Sequence, residues 1–305
     1  FKVYKAFRKF KGYDVVQLIN PCFTTLSVGI NQKLYNTLRK NNKKVFLGAF
    51  GDDSFWLKAC LDNSTFRYSE FFVNGIENHL KYNERIKQLW GSSERENLNK
   101  NIAESCDGII ACLCEYYMAY KTYYDHKLTY IPLPFDVNKV RKTEVLTSDK
   151  VKFFIGINKD RSEFKGTDRM YNVLQQLQSK YPDKMEVVAV ESLPYSEYIR
   201  IMENSDVVLD QLYSYSPAMN GLLTLSLGKV LVSGAEPEMY ELLMEKGNKP
   251  IVNVFPSEED IYNKLENLVL NKQEVPNIAE NSRIFVEKHH DHIKVAQQYL
   301  DFWTK

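Results

Sequence analysis

Short apolar runs alternate with longer amphipathic stretches along almost the whole chain. The runs are DVVQLI, KVFLGAF, GIIACL and LTYIPL in the first half, then KFFIGI, MEVVAV, DVVLDQ, KVLVSG and PIVNVF in the second. Each is short and mostly unbroken by polar residues, as expected of a strand buried on both faces. The stretches between them run to about a dozen residues with helical apolar spacing. Strand and helix in regular alternation predict parallel sheets joined by right-handed crossovers. The alternation breaks at VNKVRKTEVLTSDK, which is polar and lacks a period. An interdomain linker is expected there, between Asp136 and Lys150.

A chain of 305 residues is long for one core, so two α/β domains of about 150 residues each are expected. The boundaries drawn from the pattern are 1–140 for the first domain, 151–288 for the second and 289–305 for a terminal helix. The second half holds a complete five-strand unit. The first lacks the opening strand, glycine loop and helix of such domains and starts on FKVYKAFRKFKG. It reads as incomplete, with native residues expected ahead of Phe1. On that segment Val3, Phe7 and Phe10 share a helical face, with Lys2, Lys5, Arg8 and Lys9 largely elsewhere. A core-packed helix and a basic amphipathic helix at an anionic lipid surface both fit. At the other end HHDHIKVAQQYLDFW puts Ile293, Ala296, Leu300 and Trp303 at helical spacing, so these are expected to pack.

Forty basic and 39 acidic side chains give a formal charge of +1, which argues against a nucleic-acid partner. No apolar run approaches the ~20 residues of a membrane span, and nothing reads as a signal peptide. A cytoplasmic chain is expected, touching the inner face of a membrane at most peripherally. The five cysteines show no pairing framework and read as reduced thiols. Cys112 and Cys114 form a lone C-x-C, weak as a metal site. Among His289, His290 and His292, only the first and last could share a helical face, and capping or surface roles are expected.

The richest chemistry lies in FFIGINKDRSEFKGTD, Phe153 to Asp168. An apolar strand with Gly156 leads into a loop carrying Lys159, Arg161 and Lys165, and Gly166-Thr167 opens a helix. A helix start offers unpaired N–H groups with the positive end of the macrodipole behind them. With three cations added, this suits a diphosphate, although a solvated charged surface would look the same. Asp210 and Gln211 end the strand DVVLDQ, at the edge where open α/β sheets take ligands. In the first half, Asp52 and Asp53 follow a strand and glycine, and Asn20 ends the strand YDVVQLIN. Asp53 is also placed to cap the helix FWLKACL.

Taken in order, the strand with Gly156 and the basic loop to Lys165-Gly166, then NSDVVLDQ, then NGLLTLSLGKVLVSG, then EPE resemble the donor-binding domain of GT-B glycosyltransferases, most of all family 4 (group 1). The resemblance covers Val151 to about Lys288 and fits the first half more loosely. It implies two Rossmann-like, doubly wound parallel-sheet domains facing a cleft. The implied activity moves a sugar, such as a hexose, from a nucleoside diphosphate to a carbohydrate or lipid-linked glycan acceptor, in surface polysaccharide or glycoconjugate synthesis.

Arg161 and Lys165 then stand where such enzymes grip the diphosphate, helped by Lys159 and Gly166. Asn220-Gly221 and Gly228 stand where a second helix start and a close backbone approach the donor, and Gln211 reads a base or sugar hydroxyl. Asn20 lies on the acceptor side, and Asp52 or Asp53 is the candidate base for an inverting reaction. No Asp-x-Asp pair occurs, so metal independence is expected and no cofactor. The paired glutamates of the family are missing: Tyr215 or Ser216 and Leu223 or Thr224 stand nearest their positions. Glu236 and Glu238 are the substitute carboxylates, or simply a helix start. The same architecture serves nucleotide-sugar 2-epimerases, and the missing glutamates also suit a non-catalytic sugar-binding or partner subunit.

Overall fold

The computed structural model describes residues 6, 7, 9–146 and 148–305. The chain folds into two compact units. The first comprises Phe1–Arg67, Asn74–Pro132 and Gln297–Lys305; the second comprises Tyr68–Val73 and Leu133–Ala296.

The first unit is built on four parallel strands, β1 (Val15–Leu18), β2 (Lys44–Ala49), β3 (Gly108–Ala111) and β4 (Leu128–Tyr130), in the order β1-β2-β3-β4. Its helices are α1 (Val28–Asn41), α2 (Ser54–Leu61), α3 (Lys81–Trp90), α4 (Ser93–Ser105) and α5 (Cys114–Tyr124). The second has five parallel strands, β5 (Val151–Ile157), β6 (Met185–Glu191), β7 (Val207–Leu209), β8 (Val230–Ser233) and β9 (Val252–Asn253), in the order β9-β8-β7-β5-β6. Its helices are α6 (Ser162–Lys165), α7 (Thr167–Lys180), α8 (Tyr195–Glu203), α9 (Met219–Ser226), α10 (Pro237–Leu242), α11 (Glu258–Leu270) and α12 (Val275–His289). A last helix, α13 (His292–Thr304), closes the chain.

All nine apolar runs are strands of these sheets. Val45, Leu47, Ile109 and Ile110 in one sheet and Val151, Phe153, Phe154, Ile155, Val207, Val230 and Val232 in the other have 0% exposure. Helices on both faces of a parallel sheet require this uninterrupted apolar character. The two sheets share a device at their amino edges. Asp107, just ahead of β3, accepts from Val45 N at 2.7 Å, and Asp206, just ahead of β7, accepts from Lys152 N at 2.7 Å. Each carboxylate satisfies a strand-end donor that the ladder leaves unpaired.

Two expectations change. The segment expected as an interdomain linker belongs to the second unit and is anchored to it. Leu146 N donates to Asp206 Oδ1 at 2.6 Å, Thr143 N to Leu227 O at 2.9 Å, and Arg283 to the carbonyls of Val137, Val140 and Ser226. The main chain makes these bonds, while the polar side chains of Asn138, Lys139, Arg141, Lys142 and Glu144 stay exposed to solvent. The packed face of α13 also differs. Ile293 and Leu300 are 65% and 50% exposed, and Ala296 is exposed too. Val295 is buried instead, and Phe302 packs on Phe46 with centroids 5.4 Å apart. Gly108 makes room for the Phe302 ring, because a Cβ there would lie 2.8 Å from it. Trp303 is half-buried, with Nε1 donating to Gln17 Oε1.

Of the amphipathic opening segment, Lys2, Val3, Lys5 and Arg8 lie outside the described residues. Phe7 packs near Phe23, with centroids 6.2 Å apart. Among the described residues no helix is long and apolar enough to cross a membrane.

Substituting Phe302→Ala is expected to lower unfolding stability by about 2 kcal/mol, as for a partly buried aromatic ring. Ile293→Ala and Leu300→Ala, on the open face, should each stay within about 0.5 kcal/mol of the parent. Urea unfolding of the three variants checks the assignment, and equal losses at all three positions would refute it.

Candidate functional site

In the second unit the chain passes from β5 outward to β6, then returns to β7 on the other side of β5. Strand order therefore reverses between β5 and β7, and the carboxyl ends of such strands are where an open α/β sheet takes ligands. Residues 158–166 leave β5 and residues 210–218 leave β7 at that point.

The first loop carries the cations. Arg161 stands just ahead of the single turn α6, its guanidinium carbon 5.3 Å from the centroid of the Phe164 ring. Lys165 ends that turn, and its carbonyl accepts from Leu212 N at 2.9 Å, which docks the first loop on the second. Gly166 follows with φ 72°, and a Cβ on it would lie 2.6 Å from Leu212 Cβ. Left-handed backbone and close packing both call for glycine. Its turn redirects the chain into α7. Lys159 does not join this group: it is 71% exposed and pairs with Glu191 at the end of β6, 2.7 Å away. Its side chain is instead turned toward the end of β6 by this exposed ion pair.

The second loop brings a buried polar chain beneath the first. Asp210 is 5% exposed, and its Oδ1 accepts from Asn220 Nδ2 at 3.1 Å. Asn220 Oδ1 in turn accepts from Tyr198 OH at 3.1 Å. Burial raises the Asp210 pKa, against the opposing pull of the Lys165 charge and the Asn220 bond. Burial and the nearby Asp210 charge push the Tyr198 phenol up to about 12. Asn220 and Gly221 lie in the first turn of α9, which thus starts beside Asp210. Gly156 serves the same cluster: a Cβ there would meet the Tyr198 ring at 2.6 Å. Gln211 is half-buried, and its carbonyl accepts from Gly234 N at 2.9 Å and Ser233 Oγ at 3.1 Å. A Cβ on Gly234 would sit 1.6 Å from Ser214 O, so the loops after β7 and β8 touch backbone to backbone.

Arg161, Lys165, Gly166, Gln211, Asn220 and Gly221 therefore share one sheet edge. Glu236 is used differently from expectation. It is 1% exposed, stands at the start of α10, and its Oε1 accepts from Tyr68 OH at 2.7 Å and Asn253 Nδ2 at 3.0 Å. Its carboxylate holds neighbouring protein groups. Glu238 is half-buried in the first turn of α10, where the helix dipole favours an acid. Gly228, read as a close approach to the donor, lies beyond the far end of α9 at φ 69° against Lys142. It ends the helix in the left-handed conformation. Leu223 and Thr224, near one missing glutamate, and Tyr215 and Ser216, near the other, are all buried. Thr224 Oγ1 donates back to Asn220 O at 3.0 Å.

In the first unit Asn20 and Asp52 come together at the carboxyl ends of β1 and β2. Asn20 Nδ2 donates to Asp52 O at 3.1 Å, and its Oδ1 accepts from Cys22 N at 3.0 Å. Asp53 has 0% exposure. It caps α2 by accepting from Trp56 N at 2.9 Å, and its second oxygen accepts from Tyr120 OH at 2.6 Å. Burial raises its pKa to about 6 against these hydrogen bonds. A carboxylate so enclosed is a structural cap, which corrects its reading as a base.

The histidine cluster is dispersed. His289 pairs with Glu245 at 2.7 Å, His290 bonds Leu133 O at 2.9 Å, and His292 lies 3.7 Å from Asp136. Cys112 and Cys114 are buried thiols near Ala49 O and Met118 respectively. The close grouping Glu77, His79 and Glu84 lies in the first unit and includes Lys87 as an ion-pair partner of both glutamates.

Residues 159–301 match the family model described as glycosyl transferase-like. No curated protein matches the sequence. The fold is that of GT-B glycosyltransferases. Sucrose-phosphate synthase from Thermosynechococcus elongatus is similar at a TM-score of 0.66 and 10% identity, over 99% of this chain and 76% of that one. HepE of Anabaena, in complex with UDP and glucose, gives 0.63 and 13% over 99% and 81%. TarM of S. aureus, with UDP and α-GlcNAc-glycerol among its ligands, gives 0.57 and 11% over 92% and 54%.

The burial of Asp53 has a measurable cost. Its folded pKa lies above the unfolded value of 3.8, so the native state binds more protons between the two and stability falls as pH rises through that window. The change is about 2 kcal/mol between pH 4 and 7. Subtracting the urea-unfolding profile of Asp53→Asn from that of the parent should isolate this decline, and a flat difference would remove the assignment.

Proposed function

We propose that this chain, which has the GT-B fold and the glycosyl transferase-like match over residues 159–301, moves a sugar from a nucleoside diphosphate to a glycan or lipid-linked acceptor. The observation that carries this is the docking of the basic loop after β5 onto the loop after β7, which brings Arg161, Lys165 and the start of α9 to one sheet edge. The binding of UDP by HepE and TarM supports a nucleotide-sugar donor. The synthesis of surface polysaccharide or glycoconjugate is the setting this activity suits.

Loss of the glycosyl group leaves growing negative charge on the departing diphosphate. Cations and helix-start N–H groups fixed in place beforehand stabilise that charge more than they stabilise the intact donor. Lys165 and Arg161 perform this task, with the first turn of α9 facing the same anion. Gln211 meets the base or sugar. Fixed protein cations do the work of a metal ion, so the reaction is assigned as metal-independent. On the acceptor side Asn20 and Asp52 remain, and Asp53 drops out because it is enclosed.

Titration of the purified chain with UDP-, GDP-, dTDP- and CDP-sugars should find a binder, with affinity unchanged by a chelator. Arg161→Ala and Lys165→Ala should each weaken that binding by about 10- to 100-fold, the loss of a charge-assisted contact. Unchanged affinity in the double variant would remove the site, and loss of binding in the chelator would remove metal independence.

A further inference from the structure

The segment Tyr68–Val73 precedes the rest of the second unit by about sixty residues in sequence, yet packs as part of it. Phe71 is fully buried, and its ring meets that of Phe164 edge-on, with centroids 6.5 Å apart and planes at 89°. Phe164, 4% exposed, is the ring over which the Arg161 guanidinium lies at 5.3 Å. Tyr68 is tied down separately, through Glu236 and by packing on Tyr215 and Phe255 at 5.1 Å and 6.0 Å.

We propose that Phe71 is a positioning residue for the donor diphosphate, holding the Phe164 ring so that Arg161 is fixed on it before the donor arrives. The inference rests on the donor-site reading above. Phe164 belongs to α6, a single turn of four residues, and a helix that short cannot hold its own side chains in place. A flexible arginine gains most for anion binding when its guanidinium is already oriented, because the ordering cost is then met before binding. Tyr68, bonded to Glu236, anchors the segment so that Phe71 stays seated.

The test is a double-mutant cycle in the full chain, with UDP, GDP, dTDP and CDP each titrated. Arg161→Ala should weaken diphosphate binding at least about 10-fold. Phe71→Ala should weaken it about 3- to 10-fold, the size of a lost arginine–ring arrangement. Added to Arg161→Ala, it should cause less than about a twofold further loss, because both changes remove the same oriented charge. Tyr68→Phe, which removes the hydroxyl that anchors the Phe71 segment to Glu236, should likewise add less than about a twofold loss to that of Arg161→Ala. Should Phe71→Ala fail to fold, Phe71→Leu takes its place in the cycle with a smaller loss of the same non-additive kind. Unchanged affinity in the Phe71 variant, or losses that multiply with Arg161→Ala, would overturn the positioning role while leaving the donor site standing. If none of the four diphosphates binds, or Arg161→Ala binds as tightly as the parent, the donor-site reading fails and the inference falls with it.

Discussion

The carboxyl edge of the second sheet depends on backbone lying against backbone. The loop after β5 rests on the loop after β7 through Lys165 O and Leu212 N, and the loop after β8 rests on it through Gly234 N and Gln211 O. At Gly166 and Gly234 there is no space for a Cβ. This closeness keeps Lys165 within electrostatic reach of Asp210 and aligns the start of α9 with the cationic loop. Looser loops would scatter the same residues over a surface, where solvent screens each charge separately.

Buried polar groups pin both units, with partners up to 67 residues apart in the first and 10 and 22 residues apart in the second. In the first, Asp53, Tyr120 and Asn99 form a closed chain, with Asn99 Nδ2 donating to Tyr120 OH at 2.7 Å and Asn99 Oδ1 accepting from Ser54 N at 3.1 Å. In the second, Tyr198, Asn220 and Asp210 form an open chain beneath the cationic loop, which leaves the buried Asp210 Oδ2 without a hydrogen-bond partner. Such networks tolerate little displacement, because a buried polar atom without its partner costs about 1–3 kcal/mol. They fix which helix faces which strand, something apolar packing alone does loosely.

The strands were legible because burial on both faces writes itself into unbroken apolar runs, and all nine could be read directly. The basic loop and Gly166 were legible because a strand, a glycine and a helix start are local features. What escaped reading was set by packing partners. The face of α13 turns on Phe302 filling the space beside Gly108, and no periodicity within the helix shows this. Tyr198 and Asn253 complete polar chains only after the sheet has assembled. Phe71 lies in a stretch without a period, although the neighbouring Asn74-Gly75 turn, with both residues at positive φ, was a usable local cue. Asp53 was ambiguous in principle, since a loop carboxylate before a helix serves as cap or base according to its exposure.

Gly234 carries a consequence for how the sequence can change over generations. A methyl group there would fall 1.6 Å from Ser214 O, and the obstacle is main chain, which cannot swing aside as a side chain can. No second substitution among the surrounding side chains compensates for an oxygen that every amino acid brings with it. Lineages carrying this fold can exchange the side chains around the edge and so drift in what that edge recognises. They do so around a position whose alphabet has one letter, unless the loop itself changes length.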